Sequence, residues 1–214
     1  MYIGIIGSIG IGKSMLTKAL SERLGYRAFF EPVKENPYLD DFYKDMKRYA
    51  CIMQFFMLTK RFGQHMEIQE LCKNDVGIVQ DQIIYGDLLY ARLTHDLGFM
   101  DDRDYQTYRD HWNVLEPLLQ LPDVVILLET SIKSALSRIN ERGRPSERSI
   151  SPDYLTSLAK LFAGWANSVS QQTKVLTLDW SSFQPVDAVV KTIEDALHVQ
   201  LPLPVVSKAQ NEAP

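Results

Sequence analysis

The sequence predicts one α/β domain built on a five-stranded parallel sheet that is flanked by helices. Short β-rich segments alternate with longer helical segments along the 214 residues, a pattern typical of parallel strands joined by helical crossovers. Three of the β-rich segments are nearly continuous in valine, isoleucine and leucine, as expected for strands covered on both faces. A glycine-rich segment directly after the first strand indicates the sheet edge at which a ligand would bind.

Each element is predicted from its hydrophobic pattern and from the residues that interrupt it. The predicted strands are Tyr2–Ile6, Arg27–Phe30, Val76–Gln80, Val124–Leu128 and Lys174–Leu178. The predicted helices are Lys13–Leu24, Pro37–Asp45, Arg48–Lys73, Gly86–Leu97, Asp102–Leu119, Ile132–Arg142, Pro152–Gln171 and Pro185–Val199. Because no repeat or linker divides the chain, residues 1–200 are predicted to form one domain. Residues 201–214 lack periodicity and are predicted to be a flexible tail.

The composition argues against several classes of partner. The formal net charge is -4 and the isoelectric point is about 5.6, so no overall basic field predicts nucleic-acid binding. No apolar run approaches the ~20 residues required to span a bilayer, and the first residues do not resemble a signal peptide. We therefore expect a cytoplasmic protein that binds neither nucleic acid nor membrane.

A phosphate-binding loop is predicted between the first strand and the first helix. The pattern G-x-x-x-x-G-K-[ST] is matched by Gly7, Ser8, Ile9, Gly10, Ile11, Gly12, Lys13 and Ser14. Such glycines let backbone N–H groups surround phosphate oxygens, and the helix N-terminus favours anions. Lys13 is expected to reach the β and γ phosphates of ATP, and the Ser14 hydroxyl to coordinate Mg²⁺. The loop predicts nucleotide binding but not the reaction, because GTPases, monophosphate kinases and nucleoside kinases all carry it.

Glu31 follows the second predicted strand. Since the carboxyl ends of parallel strands share one edge, Glu31 is expected to lie near the phosphate loop. A carboxylate there can orient an acceptor hydroxyl and take its proton during phosphoryl transfer. On position alone, a solvent-exposed glutamate at a strand end is an equally good interpretation.

The residues after Glu31 resemble the deoxynucleoside kinase family, and most closely its bacterial deoxyadenosine and deoxyguanosine kinases. The similarity lies in residues 31–39, 42–45 and 54–58, in Arg61, and in Arg142-Gly143-Arg144-Pro145, and it continues to about Trp165. The resemblance implies that Glu31 is the general base. It also implies a P-loop kinase fold, ATP and a deoxynucleoside as substrates, and a homodimer.

The third predicted helix carries polar residues on an apolar face. Gln54 and Arg61 are seven residues apart and share that face with Met57. If buried, they need hydrogen-bond partners such as a nucleobase edge, whereas the alternative is a solvent-facing pair. The resemblance implies that Gln54 reads the base, that Arg61 pairs with Asp87, and that Tyr43 contacts the sugar 3′-hydroxyl and crowds the 2′ position.

Asp81 ends the third predicted strand, where P-loop enzymes place a carboxylate associated with Mg²⁺. Most members of the resembled family continue with arginine and serine, but this chain continues with Gln82 and Ile83. Neutral Gln82 cannot offset the charge of Glu31, so we expect the pKa of Glu31 to be raised.

A cluster of arginines ends the sixth predicted helix. Arg138, Arg142 and Arg144 have the spacing R-x-x-x-R-G-R, which the resemblance assigns to a lid that binds phosphates during transfer. A solvated basic helix end is the alternative. By resemblance Glu147 reaches the sugar 3′-hydroxyl, and residues 179–183 lie where relatives hold the adenine of ATP.

Together these observations predict a deoxyribonucleoside 5′-kinase of nucleotide salvage that uses ATP and Mg²⁺. Deoxyadenosine or deoxyguanosine is the favoured acceptor, and deoxycytidine is possible. A nucleoside monophosphate kinase is one alternative, although no arginine pair follows Glu31. A non-catalytic, kinase-like nucleotide-binding subunit is the other, because of Gln82. A GTPase is disfavoured because the sequence lacks N-K-x-D.

Overall fold

The computed structural model describes residues 1–202, apart from the side chain of Lys34. Most of the predicted flexible tail, residues 203–214, lies outside the described residues. Among the helices of the described part, none combines the length and the apolar character that a bilayer crossing requires.

All five strands pair in parallel in one sheet, which confirms the predicted fold class. The strands are β1 (Tyr2–Ile6), β2 (Arg27–Phe29), β3 (Ile78–Asp81), β4 (Val124–Glu129) and β5 (Lys174–Asp179), and their order is β2-β3-β1-β4-β5. In the register, Ile3 lies opposite Val79 of β3 and Val124 of β4. Every residue of β1 is buried. A ligand can therefore approach the central strands only from their ends.

In the described part of the chain, eight helices surround the sheet. They are α1 (Lys13–Leu24), α2 (Leu39–Lys44), α3 (Met46–Lys73), α4 (Tyr85–Asp96), α5 (Asp102–Leu115), α6 (Ile132–Arg142), α7 (Pro152–Val169) and α8 (Val186–Leu197). Short 3₁₀ turns, which the sequence analysis did not predict, cover Val33–Glu35, Glu116–Leu118 and Pro145–Ser149. The fifth helix ends earlier than predicted because Pro117 lies in the second of these turns, and proline cannot donate a helical hydrogen bond.

Two hydrophobic layers cover the sheet. Leu16 and Leu20 of α1 and Val189 of α8 pack against one face, while Leu155 and Leu158 of α7 belong to the layer on the other face, together with residues of α3 and α4. The three central strands β1, β3 and β4 are covered on both sides, as their apolar sequences predict, whereas the edge strands β2 and β5 are partly exposed. This arrangement leaves the carboxyl edge of the sheet, where the phosphate loop lies, as the place for a ligand.

Candidate active site

A cavity of about 990 Å³ opens at the carboxyl edge of the sheet. The phosphate loop, the segment after β2, α3, α4, α6 and the 3₁₀ turn at Pro145 all contribute to it. The site residues predicted from the sequence that line it are Ile9, Gly10, Ile11, Gly12, Lys13, Ser14, Glu31, Tyr43, Gln54, Met57, Arg61, Asp81, Asp87, Arg138, Arg142, Arg144 and Glu147. Gly7 and Ser8 instead line a smaller cavity of about 340 Å³ that also borders Ile11.

The lysine of the phosphate loop contacts the backbone of the same loop. Lys13 is buried, and its Nζ donates a hydrogen bond to the carbonyl oxygen of Ser8 at 3.0 Å. Gly10 has a φ of +77°, and a Cβ atom there would lie 2.7 Å from the carbonyl oxygen of Ala135 in α6. A residue with a side chain would push α6 off the loop, so glycine at this position lets the helix pack directly on it.

Ser14 and Asp81 meet at the start of α1. The Ser14 hydroxyl donates a hydrogen bond to Oδ2 of Asp81, whereas Oδ1 is buried without a partner among the described residues. Burial raises the pKa of Asp81, although nearby Lys13 lowers it. One carboxylate and one hydroxyl are hard oxygen ligands that suit Mg²⁺, which takes its other ligands from phosphates and water. Within residues 1–202, no three His, Cys, Asp or Glu side chains form an all-protein metal site.

Glu31 lies directly after β2 and faces the cavity. Its Oε1 accepts a hydrogen bond from Nη2 of Arg61 at 3.1 Å. Burial alone would raise the pKa of Glu31, but Arg61, Lys13 and Arg144 together hold it below its ordinary value. The expectation of a raised pKa at this carboxyl is therefore wrong. The compensating charge comes from α3 and not from residue 82.

Gln82 does not line the cavity, and its side chain is buried. The amide packs against Gly86, where an added Cβ atom would lie 2.2 Å from Nε2. Neither amide atom has a hydrogen-bond partner in the described part of the chain. The functional contact of Gln82 is made by its backbone, because its carbonyl oxygen accepts a hydrogen bond from Nη1 of Arg61 at 2.8 Å.

Arg61 and Asp87 form a buried ion pair between α3 and α4. Nε of Arg61 lies 2.8 Å from Oδ2 and 3.0 Å from Oδ1 of Asp87. Burial raises the pKa of Asp87 to about 6, although Arg61 lowers it. A pair that is so completely buried persists only when hydrogen bonds satisfy both partners, as they do here.

The wall of the cavity beside α3 is formed by amide and thioether side chains. Gln54 is buried there, next to Met57. The sequence analysis did not identify Asn36, whose Nδ2 contacts the sulfur atoms of Met53 at 2.8 Å and of Met57 at 3.4 Å. This wall combines a flat apolar surface with hydrogen-bonding groups, which is the combination that a nucleobase requires.

Phenol groups gather on the side of the cavity towards α7. Tyr43, Tyr90 and Tyr154 all line it, and burial raises the pKa of each phenol. Tyr90 and Tyr154 were missed because a tyrosine in a helical pattern is typical of an ordinary core residue. Glu147 lies buried beside them.

The predicted lid arginines have two different kinds of partner. Arg142 forms an ion pair with Oε2 of Glu147, and Nη1 of Arg144 lies 3.0 Å from Oε1 of the same carboxylate. Arg138 instead donates to the carbonyl oxygens of Ile11, at 3.1 Å, and Trp180, at 2.8 Å. Its guanidinium also stacks 4.5 Å from the ring centre of Phe183, so the segment predicted to hold adenine lies against the phosphate loop.

Known proteins resemble this chain over most of its length. The family model described as "Deoxynucleoside kinase" matches residues 3–198. A deoxyadenosine kinase of Dictyostelium discoideum is 35% identical over 193 residues, which cover 90% of this chain and 78% of the relative. A deoxyadenosine/deoxycytidine kinase of Bacillus subtilis is 37% identical over 166 residues, which cover 76% of this chain and 75% of the relative.

Solved structures show the same similarity in three dimensions. The deoxyadenosine kinase from M. mycoides with bound dCTP is 36% identical, with a TM-score of 0.78 and coverage of 92% of this chain and 99% of that one. The same kinase with bound dATP gives a TM-score of 0.81 at 33% identity, covering 91% and 99% of the two chains. With the loop, the carboxylate and the buried arginine in one cavity, the chain belongs to the deoxynucleoside kinase family.

Proposed function

We propose that this protein transfers the γ-phosphoryl group of ATP to the 5′-hydroxyl of a purine deoxynucleoside, as a step of nucleotide salvage. The observation that carries the proposal is the presence of Glu31, the phosphate loop and the Arg61–Asp87 pair in one cavity. The loop supplies a phosphate site, the carboxylate a proton acceptor, and the wall along α3 a site for the base.

In the proposed reaction, the 5′-oxygen forms a bond to the γ-phosphorus while the bond to the β–γ bridging oxygen breaks. The 5′-hydroxyl proton passes to Glu31, and ADP leaves. A carboxyl with a lowered pKa is a weak base, which suits a loose transition state in which orientation and charge stabilisation matter more than proton abstraction. Lys13 and Arg142 would stabilise the charge on the phosphoryl oxygens.

Ser14 and Asp81 are the residues that would hold Mg²⁺, on the evidence of their paired hydroxyl and carboxylate. The ion would neutralise charge on the β and γ phosphates. Ile9, Gly10, Ile11 and Gly12 would supply backbone N–H groups to the same phosphates, and Arg138 and Arg144 would border them.

The base end of the cavity supports a purine acceptor. Relatives at 29% to 37% identity are named as deoxyadenosine, deoxyguanosine and deoxyadenosine/deoxycytidine kinases. Gln54 and Arg61 together offer N–H donors and a carbonyl acceptor to a base edge, and Met57 offers an apolar surface to its ring. Tyr43 and Glu147 would contact the sugar, and the proximity of Tyr43 to the 2′ position would favour deoxyribose.

A monophosphate kinase is disfavoured by the partners of the cavity's cations. The acceptor's own phosphate would need further cations near Glu31, but Arg61 is engaged by Asp87 and Glu31. Lys13 and Arg144 are assigned above to the phosphates of ATP. The non-catalytic alternative rested on Gln82. It loses its basis because Arg61 supplies the cation that Glu31 needs.

We also infer a cytoplasmic homodimer. Large apolar side chains are exposed on α3 and on the adjoining end of α5 and the turn after it, namely Ile52, Met66, Val114 and Leu118. Exposed large apolar side chains on neighbouring elements are typical of an association surface, and sedimentation velocity of Leu118→Glu against the unmodified protein tests this inference. Cys51 and Cys72 are both free, which suits a reducing compartment.

The test of function is product formation from each of four deoxynucleosides and from deoxyadenosine monophosphate, with ATP and Mg²⁺, scored by chromatography. We expect deoxynucleosides to be converted and the monophosphate to be left unchanged. Glu31→Gln should abolish turnover while leaving ATP affinity nearly intact. The matched control is Glu67→Gln, which removes an exposed glutamate paired with Arg27 at 2.6 Å. Near-normal rates for Glu31→Gln would remove the base assignment.

A further inference from the structure

We infer that Arg61 is the positioning residue of Glu31, in addition to its proposed part in reading the base. One guanidinium would then connect recognition of the nucleobase to the orientation of the group that accepts the 5′-hydroxyl proton. The inference rests on the proposed role of Glu31 as the general base, and it extends that role to a residue on another element.

Three hydrogen-bond partners fix the orientation of the Arg61 guanidinium. Its side chain is fully buried, Nε is held by Asp87, and Nη1 is held by the carbonyl oxygen of Gln82. With two edges of the planar group fixed, the direction of Nη2 is fixed as well, and it points to Oε1 of Glu31 at 3.1 Å. Arginine has five N–H donors, so Nη1 and Nη2 each keep one for a base edge.

Two other described cations near Glu31, Lys13 and Arg144, are directed elsewhere. Nζ of Lys13 donates to the carbonyl oxygen of Ser8, and Nη1 of Arg144 donates to Glu147. Among the described side chains, which do not include that of Lys34, Arg61 is the one that donates a hydrogen bond to Glu31. The remaining ionisable groups that influence Glu31 or are influenced by it are acids and phenols, namely Asp81, Asp87, Tyr43 and Tyr90.

The carboxylate needs such a brace because the backbone does not immobilise its side chain. Glu31 lies outside β2, ahead of the 3₁₀ turn Val33–Glu35, and is partly exposed. With Oε1 held by Arg61, Oε2 is left to accept the proton of the 5′-hydroxyl. Loss of the brace would disturb this alignment for every acceptor, whatever its base, and misalignment by about 1 Å can cost roughly 100-fold in rate.

The experiment separates this role from base reading by comparing acceptors. Arg61→Lys keeps a cation near Asp87 but loses the fork that reaches Glu31. We expect kcat at saturating deoxyadenosine, deoxyguanosine and deoxycytidine to fall by the same factor, roughly 10-fold to 100-fold. Turnover of 1,2-dideoxyribose, which has no base, should fall by that factor too. A change confined to KM, or a factor that differs among bases, would overturn the inference.

The matched control is Lys60→Met, which removes the neighbouring cation of α3 and its exposed ion pair with Glu35 at 3.0 Å. This control should keep kcat within about twofold, as expected for a surface pair. If Arg61→Lys does not fold, the double variant Arg61→Met/Asp87→Leu replaces the buried pair with apolar side chains and should show the same uniform loss. An unmodified protein inactive on every deoxynucleoside would reject the proposed function instead.

Discussion

Two groups of arginines and carboxylates face the cavity, one from α3 and α4 and one from the end of α6 and the turn after it. In the first, the side chains of Arg61 and Asp87 are 1% and 2% exposed. In the second, Arg142 and Arg144 are 36% and 39% exposed around a Glu147 side chain that is 5% exposed. The two groups use the same chemistry but differ in access to solvent.

The elements that carry the two groups also differ, since the first group lies on long packed helices and the second lies around a short turn. Arg61 lies in the middle of a 28-residue helix that packs on α4, which carries Asp87. Arg144 directly precedes a five-residue 3₁₀ turn, and Glu147 lies within that turn. Gly143, just before Arg144, has a φ of +68°. The acceptor end of the site is therefore formed in advance, whereas the phosphate end can exchange partners. In the proposed reaction, Arg142 and Arg144 would leave Glu147, at least in part, to reach a nucleotide.

The largest effect is expected at the buried pair. Asp87→Leu leaves the Arg61 charge without its main partner and should lower the free energy of unfolding by about 3 to 5 kcal/mol. Urea denaturation followed by circular dichroism measures the change. Removing the exposed partner Glu67 of Arg27 should cost less than about 1 kcal/mol. Equal costs at the two sites would contradict the difference between buried and exposed pairs.

A smaller effect, on catalysis and not on stability, is expected at the lid. Arg142→Ala should lower kcat by roughly 100-fold to 1,000-fold, since it removes a donor to the transferring phosphoryl group. Unfolding in urea should change by less than about 1 kcal/mol. Arg148→Ala, an exposed arginine of the same turn that does not line the cavity, is the control and should behave as the unmodified protein. If Arg142→Ala lowered the free energy of unfolding as much as Asp87→Leu does, Arg142 would be a structural residue like Arg61 and Asp87.

The smallest effect is expected at Glu147. Glu147→Gln keeps the shape but weakens the bond to the sugar 3′-hydroxyl, so kcat/KM for deoxyadenosine should fall by about 10-fold, a typical loss for a hydrogen bond to a charged group. With 2′,3′-dideoxyadenosine, which lacks that hydroxyl, the variant and the unmodified protein should have similar kcat/KM. A tenfold loss with both acceptors would show that Glu147 acts only by holding the lid arginines.

Local patterns predicted the fold and the phosphate loop well. The bounds of α1 and α6 agree with the prediction to the residue, because a glycine pattern or a glycine stop fixes their ends. All five strands were found to within two residues at each end. For β1, β3 and β4 the apolar runs correspond to burial on both faces.

Features that depend on tertiary contacts were predicted less well. The pKa of Glu31 was expected in the wrong direction because its cation, Arg61, is 30 residues away in the chain and reaches it only through the packing of α3. Tyr90 and Asn36 were missed for the same reason. Nothing in their local sequence distinguishes a cavity wall from a core. The resemblance did place Arg61 and Asp87 together, and the structure pairs them.

The contact between Gly10 and α6 has a mechanical consequence. Because the carbonyl oxygen of Ala135 and the side chain of Ile139 both lie against Gly10, α6 packs directly on the loop. That helix also carries Arg138 and Arg142 towards the cavity. A tilt of α6 when a nucleotide enters would therefore move the phosphate loop and these two arginines together. The ATP-binding part of the site would then move as one unit.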